Sequence, residues 1–177
     1  MGVRGIRRKG ASPIKLNAEA MLDYASHNDL IINNQLDIDR LIKDYNITIR
    51  KAPLSPEISG KLEKEGEQWT IVVNSKHNDV RQRYTLAHEF AHYCLHRNDY
   101  SVFEDTAFFR KEENKTMIEY EANQFAAELL MPEKSIKAAI SEDILSLKEL
   151  AKRFGVSLIA MRNRLIDLGY KLIDDEE

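Results

Sequence analysis

Apolar positions change their spacing several times along the chain, and each change marks an element. Met21, Leu22 and Ala25 share one side of a helix that Asn17 can cap and that runs to about Ser26. Ile38, Leu41 and Ile42 recur at helical spacing within residues 37–45. The stretch NITIR, residues 46–50, alternates instead and reads as a strand ended by Pro53 and Pro56. The run ISGKLEKEGEQWTIVVN then reads as a hairpin turning near Gly66, with its β-rich second strand over residues 69–74. That second strand is either an edge able to accept an extended peptide or a purely structural strand, and the pattern does not separate the two.

From Asp79 to about His96 the period is helical again, with Leu86, Ala87, Phe90, Ala91 and Cys94 as its apolar members. A loop over roughly residues 97–114 carries Phe103, Phe108 and Phe109, enough aromatic surface to pack over something. TMIEYEANQFAAELLMP follows as a helix that must stop by Pro132. The last third is helical. Within it, LAKRFGVSLIAMRNRL reads as a helix, a tight turn at Gly155, a cap at Ser157 and a second helix to Leu168 closed by Gly169. As a helix-turn-helix this pair would turn Arg162, Asn163 and Arg164 outward. As a plain structural pair it would close a core through Leu147, Leu150, Phe154, Met161 and Leu165.

Composition narrows the setting. The 177 residues are 31% charged and 43% hydrophobic, as expected of one globular domain with a real core. A formal net charge of −3 implies no bulk attraction to nucleic acid or to anionic membranes. A single cysteine, Cys94, cannot form an intrachain disulfide and fits a reducing compartment. No apolar run reaches the length of a membrane span. The basic start, with Arg4, Arg7, Arg8 and Lys9, lacks the apolar core of a signal peptide, and Ile6 stands where a myristoylation signal wants Ser or Thr. The expectation is a cytoplasmic protein with a flexible basic tail and an acidic end.

The chemistry concentrates in YTLAHEFAHYCLH. Helical residues four apart lie on one face, about 6 Å between side-chain origins, so His88 and His92 can present ring nitrogens to a single ion. Glu89 sits about 100° around the helix, near enough to act on a water there without ligating. This is the H-E-x-x-H pattern of zinc hydrolases, which needs two neutral nitrogens, a third ligand, an open position and a carboxylate base. Two histidines one turn apart on a buried helix would otherwise be expensive to desolvate.

The third ligand is not in the same stretch. Leu95 and Asn98 stand where a metzincin needs Gly and His. His96 lies two turns, about 12 Å, from His88, too far to share bonds of about 2.1 Å, and reads as a helix-end or pocket-rim residue. The next helix offers carboxylates. Glu121 groups with Gln124 and Glu128 on its wet side, whereas Glu119 groups with Asn123, Ala126 and Leu130 at the edge of its buried face. Glu119 is therefore the expected ligand and Glu121 an ordinary surface glutamate. Asn123, one turn beyond Glu119, can hold a ligand histidine by a hydrogen bond.

RQRYTLAHEFAHYCLH and IEYEANQFAAELLMP together resemble the ImmA/IrrE family of zinc metallopeptidases, and LKELAKRFGVSLIAMRNRLIDLGY resembles the helical tail of those domains. The resemblance covers roughly residues 46–170. It implies a gluzincin arrangement: His88, His92 and Glu119 as ligands of one zinc ion, Glu89 as general base, and Asn123 where the family often has Asp. Ala91 replaces a Gly common before the second histidine. The fold expected is α+β: a mostly helical zincin-like domain, a small antiparallel sheet beside the H-E-x-x-H helix, and a helix-turn-helix-like C-terminal pair. Residues 1–16 would be tail and 17–177 a single domain. Within it, 46–132 would form the catalytic core, 133–170 the C-terminal helical part and 171–177 the acidic end.

Family members are bacterial or phage proteins that often act on a helix-turn-helix repressor encoded nearby, so the resemblance implies a regulator-cleaving peptidase. Tyr93, His96 and His77 are the candidates for stabilising the oxyanion, and the sequence does not choose among them. Two other readings compete: a metal-bound regulator that sequesters its partner without cutting it, and a DNA-binding module built on the C-terminal pair. The modest positive charge around that pair, and the acidic end after it, disfavour direct DNA reading.

Overall fold

Among the described residues, twelve elements follow one another in the order α1 (Ala18–His27), β1 (Ile31–Ile32), β2 (Gln35–Leu36), α2 (Ile38–Asp44), β3 (Ile47–Ala52), β4 (Gly60–Glu65), β5 (Gln68–Asn74), α3 (Asp79–His96), α4 (Glu112–Leu130), α5 (Glu133–Ser141), α6 (Leu147–Phe154) and α7 (Leu158–Asp167). The computed structural model describes residues 16–98, 112–142 and 146–172. Residues 1–15 of the basic tail, residues 99–111 of the aromatic loop with Phe103, Phe108 and Phe109, and residues 173–177 of the acidic end lie outside the described residues. The fold is α+β, as the patterning implied.

Helix starts are set locally. Asn17, Asp37, Asn78, Ser146 and Ser157 each accept a hydrogen bond from the backbone N–H three residues on, supplying one of the partners that a first turn lacks. Between α6 and α7 the chain turns at Gly155, whose φ of +64° suits a residue without a Cβ. A small hairpin, β1 with β2, escaped the sequence reading. Its turn is Asn33-Asn34 with φ of +50° and +66°, the doubly positive geometry that two-residue hairpin loops favour and that Asn tolerates. From it, the Gln35 amide donates to the carbonyls of Lys152 and Arg153 and so closes the last turn of α6.

The main sheet has the order β3-β5-β4, which corrects one expectation and decides between two readings that the pattern left open. It is mixed, not antiparallel: β4 pairs antiparallel with β5, but β3 pairs parallel with it. The chain reverses once between β3 and β4 and again at Gly66, so β3 and β5 point the same way. β5 is also the central strand and has no free edge for a peptide. Its four C-terminal residues, Ile71 to Asn74, are all buried, and the most apolar strand takes the position covered on both sides. The outer edge next to α3 belongs to β4.

Asn74 ends β5 as a fully buried side chain with every hydrogen-bonding position used. Its Oδ1 accepts from the N–H of Leu54 and of Lys76, and its Nδ2 donates to the carbonyls of Ser55 and Ile58. The loop between β3 and β4 is thereby tied to the strand that leads into α3. Gly60, at the start of β4, lets that strand approach α3 closely. A Cβ there would lie 2.5 Å from Thr85 Cγ2 and 2.8 Å from the Val72 carbonyl oxygen.

The core runs between the sheet, α1, α2 and the pair α3 and α4. Ala87 and Ala91 on α3, and Ala122 and Ala126 on α4, are wholly buried, and such small residues permit two helix backbones to lie close together. Phe90 packs edge-on to Tyr45 and Phe125 within this core. In the C-terminal pair, Leu150, Phe154, Met161 and Leu165 are buried as a packing face. Arg162 and Asn163 are exposed, but Arg164 is not: it is 8% exposed and its Nε donates to the Met131 carbonyl. The expectation that Arg164 points outward is corrected, because its guanidinium anchors α7 to the end of α4. No helix among the described residues is long and apolar enough to cross a membrane.

Candidate metal centre

The site forms where α3 and α4 meet. His88 and His92 stand one turn apart on α3, and their Nε2 atoms approach to 3.0 Å. Glu119, from α4, brings Oε2 to 3.2 Å from His88 Nε2 and Oε1 to 3.6 Å from His92 Nε2. Among the described residues, these three are the group whose ligand atoms lie close enough together to hold a metal ion. A tetrahedral ion with bonds of 2.0–2.1 Å separates its ligand atoms by about 3.4 Å. The observed spacings fall on either side of that value, so donor set and geometry both fit a small divalent ion.

The surrounding charges are consistent with this. Burial pushes the His88 pKa down, but the hydrogen bond to Glu119 and the nearby Glu89 and Glu119 charges outweigh it, leaving His88 above its ordinary value. His92 goes the other way, lowered by burial that the Glu119 hydrogen bond only partly offsets. The Glu119 carboxyl is held well below its usual range by hydrogen bonds from His88 and then His92. A carboxylate that stays ionised beside two imidazoles is what a cation site requires.

Each remaining candidate from the sequence has a definite place. Asn123 Oδ1 lies 3.1 Å from His88 Nδ1, where an asparagine one turn past Glu119 was expected to reach. Glu89 follows His88 on α3 and is 8% exposed, beside the point where Gly60 brings β4 onto the helix. Tyr93 is drawn into an aromatic group: its ring centroid is 5.6 Å from Trp69 and 6.1 Å from Phe90, and the Arg97 guanidinium sits 5.0 Å over it. His77 precedes α3, about 15 Å of helix rise from His88. Its carbonyl accepts from Gln82, and it is not a member of the metal-competent trio. His96 is 5% exposed, and its ring nitrogens face His92 and Glu121.

Glu121 is the residue whose place the sequence misjudged. Its side chain is half exposed, as a surface glutamate should be, but its carboxylate reaches across to α3 at His96. The signal was present in the continuation of the histidine spacing to a third member. Without the position of α4 against α3, nothing tied that member to a particular glutamate.

A search among curated proteins gives no significant match. The profile of the Peptidase_M78 family, described as an IrrE N-terminal-like domain, matches residues 42–166. That span begins in α2, takes in the whole three-stranded sheet and both site helices, and ends within α7. The metal-competent trio lies inside it, and the match covers most of the chain. The chain belongs to the Peptidase_M78 family.

Proposed function

We infer that the chain is a zinc-dependent metalloendopeptidase of gluzincin type, acting in the cytoplasm on a helix-turn-helix repressor or a similar antitoxin-like partner. One observation carries this reading: the Nε2 atoms of His88 and His92 on α3 and the carboxylate of Glu119 on α4 converge on one point, beside Glu89 of α3. His88, His92 and Glu119 would hold the zinc. Bound there, zinc supplies Lewis-acid polarisation of the scissile carbonyl and lowers the pKa of a coordinated water toward about 7.

The chain's own residues do the rest. Glu89 takes the proton from the attacking water and later delivers it to the leaving amine. Its burial strengthens its interaction with charge that develops nearby. Asn123 keeps the His88 ring oriented through Nδ1. The outer edge of β4 has no strand partner among the described residues and runs beside α3, so an extended substrate segment can add to it by backbone hydrogen bonds. The exposed face of α7 combines Arg162 and Asn163 with Leu158, Ile159 and Ile166, and an apolar face of this kind gives little support to DNA reading.

The test is cleavage of helix-turn-helix repressors supplied as candidate substrates, followed by mass spectrometry of the fragments. Glu89→Gln should retain metal and lose cleavage. Full activity in that variant would sink the peptidase assignment. Glu119→Ala should fail to retain zinc, whereas Glu121→Ala should still bind one equivalent when zinc is in excess.

A further inference from the structure

His96 is a buried histidine with no part in the metal trio and none in the proton transfer. The spacing that sets His88 beside His92 also sets His96 one turn behind His92, with Nδ1 3.2 Å from His92 Nδ1. The other ring nitrogen, Nε2, is 3.1 Å from Glu121 Oε2. Two glutamates near the middle of α4 therefore divide the histidine ladder between them. Glu119 meets the Nε2 side of His88 and His92, and Glu121 meets the far end at His96.

Proton placement along this row is constrained. A neutral His92 that offers the Nε2 lone pair to a metal must carry its hydrogen on Nδ1. That N–H can donate to His96 only if His96 Nδ1 is bare, which puts the His96 hydrogen on Nε2. His96 Nε2–H then donates to the Glu121 carboxylate, which only accepts. With His96 neutral and His92 in the opposite tautomer, two bare nitrogens would face each other, or His96 would have to turn its own N–H away from Glu121. The carboxylate at the end of the row thus selects the tautomer at its beginning.

We propose that His96 and Glu121 are positioning residues that hold His92 in the tautomer and orientation presenting Nε2 to the metal. This rests on the metallopeptidase reading above. The arrangement parallels what Asn123 does for His88, but it works through two residues and anchors on a half-exposed carboxylate. Both ligand histidines then have Nδ1 engaged and Nε2 directed at the Glu119 carboxylate.

Zinc affinity, read by competition with a chromophoric chelator on the full chain, tests this. His96→Phe should bind zinc about 10- to 100-fold more weakly than wild type, and Glu121→Ala should weaken it in the same direction. Glu121→Gln, which keeps an acceptor oxygen, should recover most of that loss, and the His96→Phe/Glu121→Ala double variant should be no weaker than His96→Phe alone. In zinc-loaded protein with 15N-labelled histidine, the His92 Nδ1 proton should be visible in wild type and lost to solvent exchange in His96→Phe. If the row merely ties α3 to α4, melting temperatures fall while zinc affinity stays within about twofold and the proton signal persists; that result overturns the proposal. Should His96→Phe not fold, unchanged zinc affinity in Glu121→Ala overturns it equally. A His88→Ala control separates the two layers: zinc binding indifferent to His88 removes the metal site and the proposal together, whereas binding that needs His88 but ignores His96 and Glu121 removes the proposal alone.

Discussion

Asn123 Oδ1 stands 3.1 Å from His88 Nδ1, one turn beyond Glu119 on the same helix, so α4 brings to the metal-competent trio both its carboxylate and a hydrogen-bond partner for its His88. In Asn123→Leu the His88 Nδ1–H loses its acceptor, and zinc affinity should fall by about tenfold or more. Asn123→Asp keeps an acceptor in place and should stay close to wild type. Chelator competition distinguishes these outcomes, and equal affinities in Asn123→Leu and wild type would show that His88 needs no such support.

Metal uptake should weaken as pH falls. Because Glu119 and Glu89 outweigh burial, His88 in the metal-free protein keeps its proton until the pH rises through a value above 6.5. Zinc must displace that proton, so below this value the apparent affinity should drop by about tenfold per pH unit for each proton displaced. The same shift stabilises the metal-free fold fully below 6.5, and this contribution is lost as pH rises through the folded-state value. His92, lowered by burial, contributes with the opposite sign, its share of stability falling as pH drops below 6.5. Zinc titrations at a series of pH values, with melting curves of the metal-free protein, check both; a flat affinity profile from pH 8 to pH 6 would contradict the first.

Gly60→Ala should be costly although its backbone needs no unusual angle. The new methyl would meet Thr85 Cγ2 at 2.5 Å and the Val72 carbonyl at 2.8 Å, and a backbone oxygen within the sheet cannot step aside. Pushing β4 off α3 should destabilise the protein by about 1–3 kcal/mol. It should also lower peptide cleavage, since Glu89 lies on the face that β4 covers. Urea unfolding and cleavage rates measured together would expose an error if the variant proved as stable as wild type.

Asn74 offers a test remote from the metal. Asn74→Ala leaves two backbone donors and two backbone acceptors without their buried partner, at a cost of about 3 kcal/mol. Asn74→Asp should be no better, because a carboxylate oxygen would then face the carbonyls of Ser55 and Ile58. Denaturant midpoints measure both, and a loss under about 0.5 kcal/mol in either would refute the role assigned to this side chain.

Local chemistry determined much of this protein from the sequence alone. Caps at Asn17 and Ser157, the turn at Gly66, and the stop near Pro132 were legible because each depends on a few neighbouring residues. The pairing of His88 with His92 was legible for the same reason, since a helix sets the relation between residues four apart. Glu119 and Asn123 could be singled out from the amphipathic pattern of their own helix. Relations between elements were decided only in three dimensions. The parallel pairing of β3 with β5, the central place of β5, the burial of Arg164 under Met131, and the reach of Glu121 to His96 all depend on how separate elements pack. Periodicity reports which face of an element is dry, but not which neighbour covers it. That is why Glu121 read as a solvent residue from its own helix, and only α3 lying alongside revealed the histidine it holds.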